Sequence, residues 1–182
     1  ILQGCSTFSF FWGNDNFQLA ENNFNLGNYN KAIEYYSAVI AQDSAQINND
    51  DNLQESFFRR GISYSKVNKF EASSYDFDLL LNLKKLFLLK RDTILFLQAY
   101  NEMKLYNFEK ALQNIDEAIQ LDSNVKFVDF KSDILMNKGY YYNRNNDFEN
   151  AKNAFESAIP YSRTIQPHIE LVKIYLTDSN IS

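Results

Sequence analysis

The sequence contains few of the residue types from which catalytic and metal sites are built. It has one histidine, His168, and one cysteine, Cys5, in 182 residues, and it has no glycine-rich phosphate loop. No other histidine or cysteine lies near His168 at a metal-ligand spacing. Acidic neighbours such as Asp116 and Glu117 occupy adjacent helix positions, where side chains point in different directions. We therefore predict a protein that is not an enzyme, with no catalytic residue, no metal and no cofactor.

Glycine and proline are also scarce. Five glycines and two prolines leave little room for a turn-rich β architecture, and no alternating strand pattern persists. The aromatic fraction of 16% is too high for a disordered chain. A chain of 182 residues is long enough to bury a sizeable core as one domain. These features together predict an all-α protein whose single domain spans residues 15–182.

Positive charge is dispersed, and long apolar runs are missing. The formal net charge is −5, and no cluster of lysine and arginine offers a surface for phosphates, which argues against a nucleic-acid partner. The most apolar stretch, Leu79 to Leu89, is interrupted by Asn82, Lys84 and Lys85. It is too short to span a bilayer. We therefore expect any membrane attachment to come from a lipid anchor.

One spacing pattern occurs four times. A small residue is followed nine positions later by an aromatic residue, and a second small residue follows three positions after that. The four sets are Ala20/Tyr29/Ala32, Gly61/Phe70/Ser73, Ala99/Phe108/Ala111 and Gly139/Phe148/Ala151, with the aromatic residues 41, 38 and 40 positions apart. Self-similarity at this period indicates a solenoid of stacked units, which usually presents an extended binding surface.

Each repeated unit is expected to be a pair of helices. The segments Phe57 to Val67 and Glu71 to Leu83, for example, both have the apolar period of a helix. Small residues let the two backbones approach closely, and the aromatic residue fills the space beside the turn. Glycine and asparagine are favoured where a helix ends in a left-handed residue. The predicted connectors are Gly27-Asn28, Asn68-Lys69, Tyr106-Asn107 and Asn145-Asn146-Asp147.

These segments resemble the tetratricopeptide repeat (TPR) family over roughly Asp15 to Ile165. The best matches are Phe58 to Glu71 and Asn107 to Ala111. The resemblance implies a right-handed solenoid of four helix pairs, with repeats at about 15–48, 54–87, 92–125 and 132–165, and a C-terminal capping helix at about 166–177. The chain departs from the family where Asp43-Ser44 and Asp122-Ser123 replace the usual Asp-Pro. Its period also exceeds the usual 34 or so residues.

The N-terminus resembles a bacterial lipobox. In Leu2-Gln3-Gly4-Cys5-Ser6 the only cysteine lies where that motif places its lipidated residue, although Gln3 is unusual. We expect residues 1–14 to be a signal remnant and tether, and Cys5 to carry a lipid that anchors the protein to a bacterial cell envelope, facing the periplasm or the cell surface. The alternatives are a free thiol in a cytoplasmic protein and a small buried residue in an N-terminal helix.

In TPR proteins the first helix of each pair lines a concave groove, and the resemblance carries this role to eight positions. A TPR protein that binds the C-terminal carboxylate of a heat-shock chaperone would need a lysine and an asparagine at the first two of these positions, where this chain has Phe17 and Glu21. The groove is therefore expected to be aromatic and only mildly polar. The alternative is that these side chains pack between neighbouring units. The eight candidates are Phe17, Glu21, Phe58, Ile62, Phe96, Tyr100, Met136 and Tyr140.

Three functional classes remain open. The first is a non-catalytic scaffold that binds a protein or peptide in its groove, as a TPR lipoprotein of the envelope. The second is a cytosolic TPR adaptor. The third is an accessory domain of a larger protein, one that could be an enzyme. The sequence does not identify the partner.

Overall fold

The computed structural model describes residues 6–43 and 46–179, with side chains for residues 15–42 and 46–177. Nine α-helices and no strand are found in these ranges, and none of the helices is both long and apolar enough to cross a bilayer. The predicted all-α fold of four helix pairs and a terminal helix is confirmed. The helices are α1 (Ser6–Asn25), α2 (Tyr29–Asp43), α3 (Asp51–Lys66), α4 (Phe70–Leu81), α5 (Arg91–Lys104), α6 (Phe108–Leu121), α7 (Val125–Arg144), α8 (Phe148–Ala158) and α9 (Gln166–Ser179).

The repeated aromatic residue marks the start of the second helix in every pair. The first residues of α2, α4, α6 and α8 are Tyr29, Phe70, Phe108 and Phe148. The residue two positions earlier is left-handed each time, with φ of 75° at Gly27, 60° at Asn68, 62° at Tyr106 and 60° at Asn146. Backbone hydrogen bonds from the next amide to the carbonyl five residues before it close each turn, as in a Schellman motif. Their lengths are 2.8 Å (Asn28 to Asn23), 2.8 Å (Lys69 to Tyr64), 2.9 Å (Asn107 to Glu102) and 3.0 Å (Asp147 to Tyr142).

The chain divides into two compact units, and the first ends at Asn101. In this unit the small residues of the repeat lie against bulky residues of the following helix. Ala20, Ala32 and Tyr36 form one fully buried cluster. Gly61 lies so close to Phe77 that an added Cβ would be only 2.7 Å from a ring carbon. The absence of a side chain at position 61 is therefore what allows Phe77 to fill the space between α3 and α4.

A buried ion pair also joins α3 to α4. The guanidinium of Arg60 donates to both carboxylate oxygens of Asp76, at 2.9 Å from Nε and 2.7 Å from Nη2. Arg60 Nη1 donates to Ser37 Oγ on α2 at 3.1 Å. Burial raises the pKa of Asp76, and the hydrogen bond and charge of Arg60 oppose that increase. The pair links three consecutive helices of the first unit.

The second compact unit begins at Glu102. Here α7 packs against α6 and α8, and α8 packs against α9. Gly139 repeats the role of Gly61, because an added Cβ would lie within 2.6 Å of two ring carbons of Phe155. The terminal helix contributes Leu171 and Ile174 to the same core as Phe155. This core buries one face of α7, and the side chains at the edge of that face form the site described below.

The predicted N-terminal segment falls partly on α1. Residues 6–14 form the first part of that helix, whereas Cys5 lies outside the residues that the structure describes. The lipid anchor at Cys5 and the proposed domain boundaries therefore stay predictions.

Candidate functional site

One side of α7 carries a stripe of polar, aromatic and apolar side chains. The helix begins after Asn124, whose side chain accepts a hydrogen bond from the amide of Lys126 at 3.0 Å. From there, Asp129, Asp133 and Asn137 recur at intervals of four residues, and so do Met136 and Tyr140. Residues four apart on a helix lie on the same side. These residues therefore form one continuous stripe along α7.

A short segment after α8 forms the wall opposite this stripe. The helix ends in a 3₁₀ turn, Ile159–Tyr161, and the chain then runs through residues 162–165 to α9. Hydroxyl groups stabilise this path, because the amide of Thr164 donates to Ser162 Oγ at 3.2 Å and that of Gln166 donates to Thr164 Oγ1 at 3.3 Å. The segment thus has a defined conformation facing α7.

Between the two walls lies a cavity of about 420 Å³ that is open to solvent. Its volume lies in the range of ligand-binding clefts, which combine apolar surface with a few polar groups. The lining consists of two carboxylates, one guanidinium, two tyrosines, a methionine and several hydroxyl and amide groups. The residues are Asp129, Ser132, Asp133, Met136, Asn137, Tyr140, Tyr161, Ser162, Arg163, Thr164 and Gln166.

A second depression, of about 460 Å³, continues along α7 toward its C-terminus. It shares Asn137 and Tyr140 with the cavity and is otherwise lined by Tyr106, Tyr141, Arg144 and Asn145. The rings of Tyr106 and Tyr141 lie 5.3 Å apart at 34°, and both residues are exposed. The two depressions therefore form one recessed strip on α7, acidic near Asp129 and aromatic near Tyr141.

The carboxylates in the cavity wall have different environments. Asp129 Oδ1 lies 2.8 Å from Arg163 Nε, in a pair exposed enough for solvent to weaken it. The side chain of Asp133 makes no hydrogen bond or ion pair with another residue in the described ranges. Desolvation in the wall, followed by the charge of Asp129, raises the pKa of Asp133. The ionised form of Asp133 would therefore be stabilised by a cation entering the cavity.

Glu170 of α9 organises the far end of the cavity. Its Oε1 accepts hydrogen bonds from Gln166 Nε2 at 2.7 Å, from Lys173 Nζ at 2.9 Å and from the hydroxyl of Tyr140 at 3.4 Å. Burial raises the pKa of Tyr140. Because Glu170 is only 7% exposed, these donors hold Tyr140 and Gln166 in place around a buried charge.

Both groove residues predicted for the fourth repeat line the cavity, but they are exposed to different extents. Met136 is only 8% exposed and belongs to the core of the second unit. Tyr140 is 36% exposed, and its ring packs edge-on against Phe155 at 5.3 Å. Tyr140 thus has a surface open to a ligand, whereas Met136 contributes mainly to the cavity floor.

In the first unit, the predicted residues are half-buried and engaged in packing. Phe17 contacts Tyr36 edge-on at 6.3 Å. Glu21 accepts a hydrogen bond from the Tyr36 hydroxyl at 2.5 Å and lies 3.1 Å from Arg59 Nε. These contacts favour the alternative that the first two candidates stabilise the junction between neighbouring repeats.

The other first-unit candidates also contact neighbouring side chains. Phe58 and Ile62 pack against the core cluster around Phe77, and the ring of Phe58 lies 6.1 Å from that of Phe77. Tyr100 packs edge-on against Phe70 at 6.2 Å, and Phe96 is half-buried. A role of these four residues in binding stays a prediction.

Several cavity residues were missed by the sequence reasoning. Asp129, Ser132 and Asp133 could have been found, because they precede Met136 and Tyr140 at helical intervals on the same stripe. The residues opposite, such as Arg163, have no such regular spacing. Their position depends on the path of the chain between α8 and α9.

The described part of the chain contains no candidate metal site. No set of three or more histidine, cysteine, aspartate or glutamate side chains in these ranges is placed to hold a metal ion. His168 is exposed on α9. The recessed strip on α7 is therefore the strongest candidate for a functional site.

Comparison with protein families identifies the repeat. Residues 16–46 and 132–163 match the sequence profile described as Tetratricopeptide repeat. The chain contains tetratricopeptide repeats. The second TPR match includes most of α7 and all of α8, and so covers much of the candidate site. No curated protein matches the sequence significantly.

Solved structures of TPR proteins have the same fold. A crystal structure of MamA superimposes with a TM-score of 0.60 at 15% identity, covering 92% of this chain and 83% of MamA. YrrB, described as a TPR protein with an unusual peptide-binding site, gives 0.56 at 13% identity, covering 87% and 90%. A TPR repeats protein from Bacteroides fragilis gives 0.57 at 14% identity, covering 89% and 68%. At these identities the similarity establishes the fold.

Proposed function

We propose that this TPR chain is a non-catalytic interaction scaffold and that the recessed strip on α7 binds a protein or peptide. The cavity of about 420 Å³ is the observation that supports the proposal most directly. It combines an exposed tyrosine with polar groups on the first helix of a repeat, the helix that lines the groove in TPR proteins. The description of YrrB as having a peptide-binding site supports a peptide as the kind of ligand.

A photo-crosslinking experiment would test the position of this surface. Asn137 lines both depressions, and within the described residues its side-chain amide donates only to the carbonyl of Asp133 in its own helix, at 2.8 Å. A photoreactive amino acid at position 137 should therefore leave the fold intact. We expect it to crosslink a protein partner in cells, which mass spectrometry would identify.

The matched control places the same photoreactive residue at Glu156, which is exposed on α8 and lines neither depression. The same partners crosslinked from both positions, or none from position 137, would contradict a binding role for this strip. Circular dichroism of both variants would confirm that their helical content is unchanged.

We further propose that the protein is a bacterial envelope lipoprotein anchored through Cys5. The motif Leu2-Gln3-Gly4-Cys5 supports this assignment. The alternative is a cytosolic adaptor or an accessory domain, and the residues encoded before Ile1 distinguish them, because export requires a basic region followed by an apolar one.

Lipidation at Cys5 makes a direct prediction about membrane partitioning. When the protein is expressed with all the residues that its gene encodes before Ile1, it should enter the detergent phase and incorporate a palmitate analogue. Cys5→Ser should abolish both, because acyl chains supply the membrane affinity. Ser6→Ala is the matched control and should behave like the unmodified sequence. Equal detergent partitioning of Cys5→Ser would exclude this anchor.

A further inference from the structure

Ser132 is almost completely buried, with only 5% exposed, and its side chain lines the cavity. Two other helical serines, Ser63 and Ser157, donate to the carbonyl four residues earlier, at 2.8 and 2.7 Å, whereas Ser74 Oγ is buried and, in the described part of the chain, has no partner. Ser132 makes no side-chain hydrogen bond to any residue in the described part of the chain. The Ser132 hydroxyl is not fully enclosed and opens to the cavity, where it is available to hydrogen-bond a ligand.

The charge of the cavity wall favours a cation. Of the three charged side chains in the lining, Arg163 pairs with Asp129, and Asp133 stays uncompensated. The nearby lysines already have partners: Lys131 Nζ lies 2.6 Å from Asp116 and 4.4 Å from the centroid of the Tyr161 ring, and Lys138 Nζ lies 2.9 Å from Glu109. On α9, Lys173 pairs with Glu170. The three charged lining residues thus sum to one net negative charge.

The apolar part of the cavity suits the stem of a basic side chain. Met136 and Tyr140 follow Ser132 at successive four-residue intervals on α7, and Tyr161 lies on the opposite wall. Lysine and arginine bury their methylene groups against apolar surface while keeping the charged end near a polar partner. Apolar surface and an uncompensated carboxylate are therefore arranged side by side.

We propose that this cavity binds a lysine or arginine side chain of a peptide partner, with the cation at Asp133 and Ser132 and the methylene stem on Met136 and Tyr140. The proposal rests on the proposed function, of which it specifies the ligand chemistry. It also reverses the polarity of the chaperone-tail clamp, in which basic side chains of the repeat bind a carboxylate.

Fluorescence polarisation with defined peptide pools would test this chemistry. The first pool contains labelled peptides of random alanine, serine and leucine sequence with one central lysine. In the second pool norleucine replaces the lysine, which keeps the stem and removes the ammonium group, and in the third glutamate replaces it. We expect the lysine pool to bind about tenfold more tightly than the norleucine pool, and the glutamate pool to bind most weakly.

The variants assign this preference to the cavity. Asp133→Asn should remove the advantage of lysine over norleucine, and Ser132→Ala should reduce it several-fold. Asp122→Asn is the matched control, because Asp122 is exposed and lines neither depression. Thermal melts followed by circular dichroism would verify that each variant is folded.

Four outcomes would overturn the proposal. These are equal binding of the lysine and norleucine pools, a preference for glutamate, no binding by any pool, and an equal loss of binding in Asp133→Asn and Asp122→Asn. Crosslinking from position 137 is a separate measurement. If a partner still crosslinks there while the pools show no preference for lysine, the proposed function stands and the basic-side-chain proposal fails.

Discussion

Replacing Asp76 with alanine is expected to destabilise the protein by about 3–5 kcal/mol, because it leaves the buried guanidinium of Arg60 without its counter-charge. Asp76 is fully buried, and only 13% of the Arg60 side chain is exposed. The guanidinium also lies over the rings of Phe57 and Tyr64, with centroid distances of 5.3 and 5.6 Å, so these rings cover part of it. Urea unfolding followed by circular dichroism measures the change in the free energy of unfolding.

Two further variants separate a lost ion pair from general damage. Replacing both partners with apolar residues, Arg60→Met with Asp76→Leu, should recover most of the lost stability, because no buried charge is left unpaired. Glu109→Ala breaks the pair with Lys138, whose glutamate is 77% exposed, and should change stability by less than about 1 kcal/mol. A loss below about 1 kcal/mol in Asp76→Ala would show that Arg60 reaches water or another partner.

The repeat spacing implies the position of this ion pair, although the apolar pattern alone does not reveal it. Arg60 and Asp76 are 16 residues apart, as are their immediate neighbours Gly61 and Phe77. The small and bulky residues of the pattern face each other across a helix pair, so the preceding residues are also brought close. The 16-residue spacing of Gly61 and Phe77 therefore predicts the contact between Arg60 and Asp76, once the same spacing is applied to polar residues.

Tyr106 shows where local preference and the fold disagree. Glycine and asparagine are the usual left-handed residues at a helix end, and Gly27, Asn68 and Asn146 follow that rule. Tyr106 takes the same conformation with φ of 62°, although a bulky side chain disfavours it. Its ring lies 6.2 Å from that of Phe108 and 5.3 Å from that of Tyr141. The connector was predictable from the period, whereas these ring contacts were not.

Only one wall of the candidate site could be predicted from the sequence. Helical spacing links Asp129 and Asp133 to the predicted residues Met136 and Tyr140 on one wall. The opposite wall is a non-repeating segment, and hydrogen bonds among Ser162, Thr164 and Gln166 determine its path. A repeat pattern describes helix positions and gives no information about such a segment.

Replacing Gly139 with leucine is expected to destabilise the protein by about 1–3 kcal/mol through overpacking between α7 and α8. A Cβ at position 139 would lie 2.6 and 2.8 Å from two ring carbons of Phe155 and closer still to a third. Phe155 is fully buried and also contacts the ring of Tyr140, so its ring has little freedom to move away. The clash therefore begins with the first added carbon and grows with the rest of the side chain.

Alanine substitutions at the two packed glycines provide a graded comparison. Alanine is intrinsically better than glycine within a helix by about 1 kcal/mol, which offsets part of the clash. At Gly61 the nearest ring carbon of Phe77 would be 2.7 Å away and the next two 3.1 Å, so this site is less crowded than Gly139. We therefore expect Gly61→Ala to have the highest melting temperature of the three variants, Gly139→Ala a lower one, and Gly139→Leu the lowest.

Reducing the opposing ring tests the cause. In Gly139→Ala with Phe155→Leu, the smaller side chain at 155 gives the new methyl group room, so the double variant should be more stable than the sum of the two single changes predicts. Such non-additivity is expected only between residues in contact. Strict additivity, or an unchanged melting temperature in Gly139→Leu, would mean that α7 and α8 can move apart without a loss of stability. In that case the close packing of the two helices would not require a glycine at position 139.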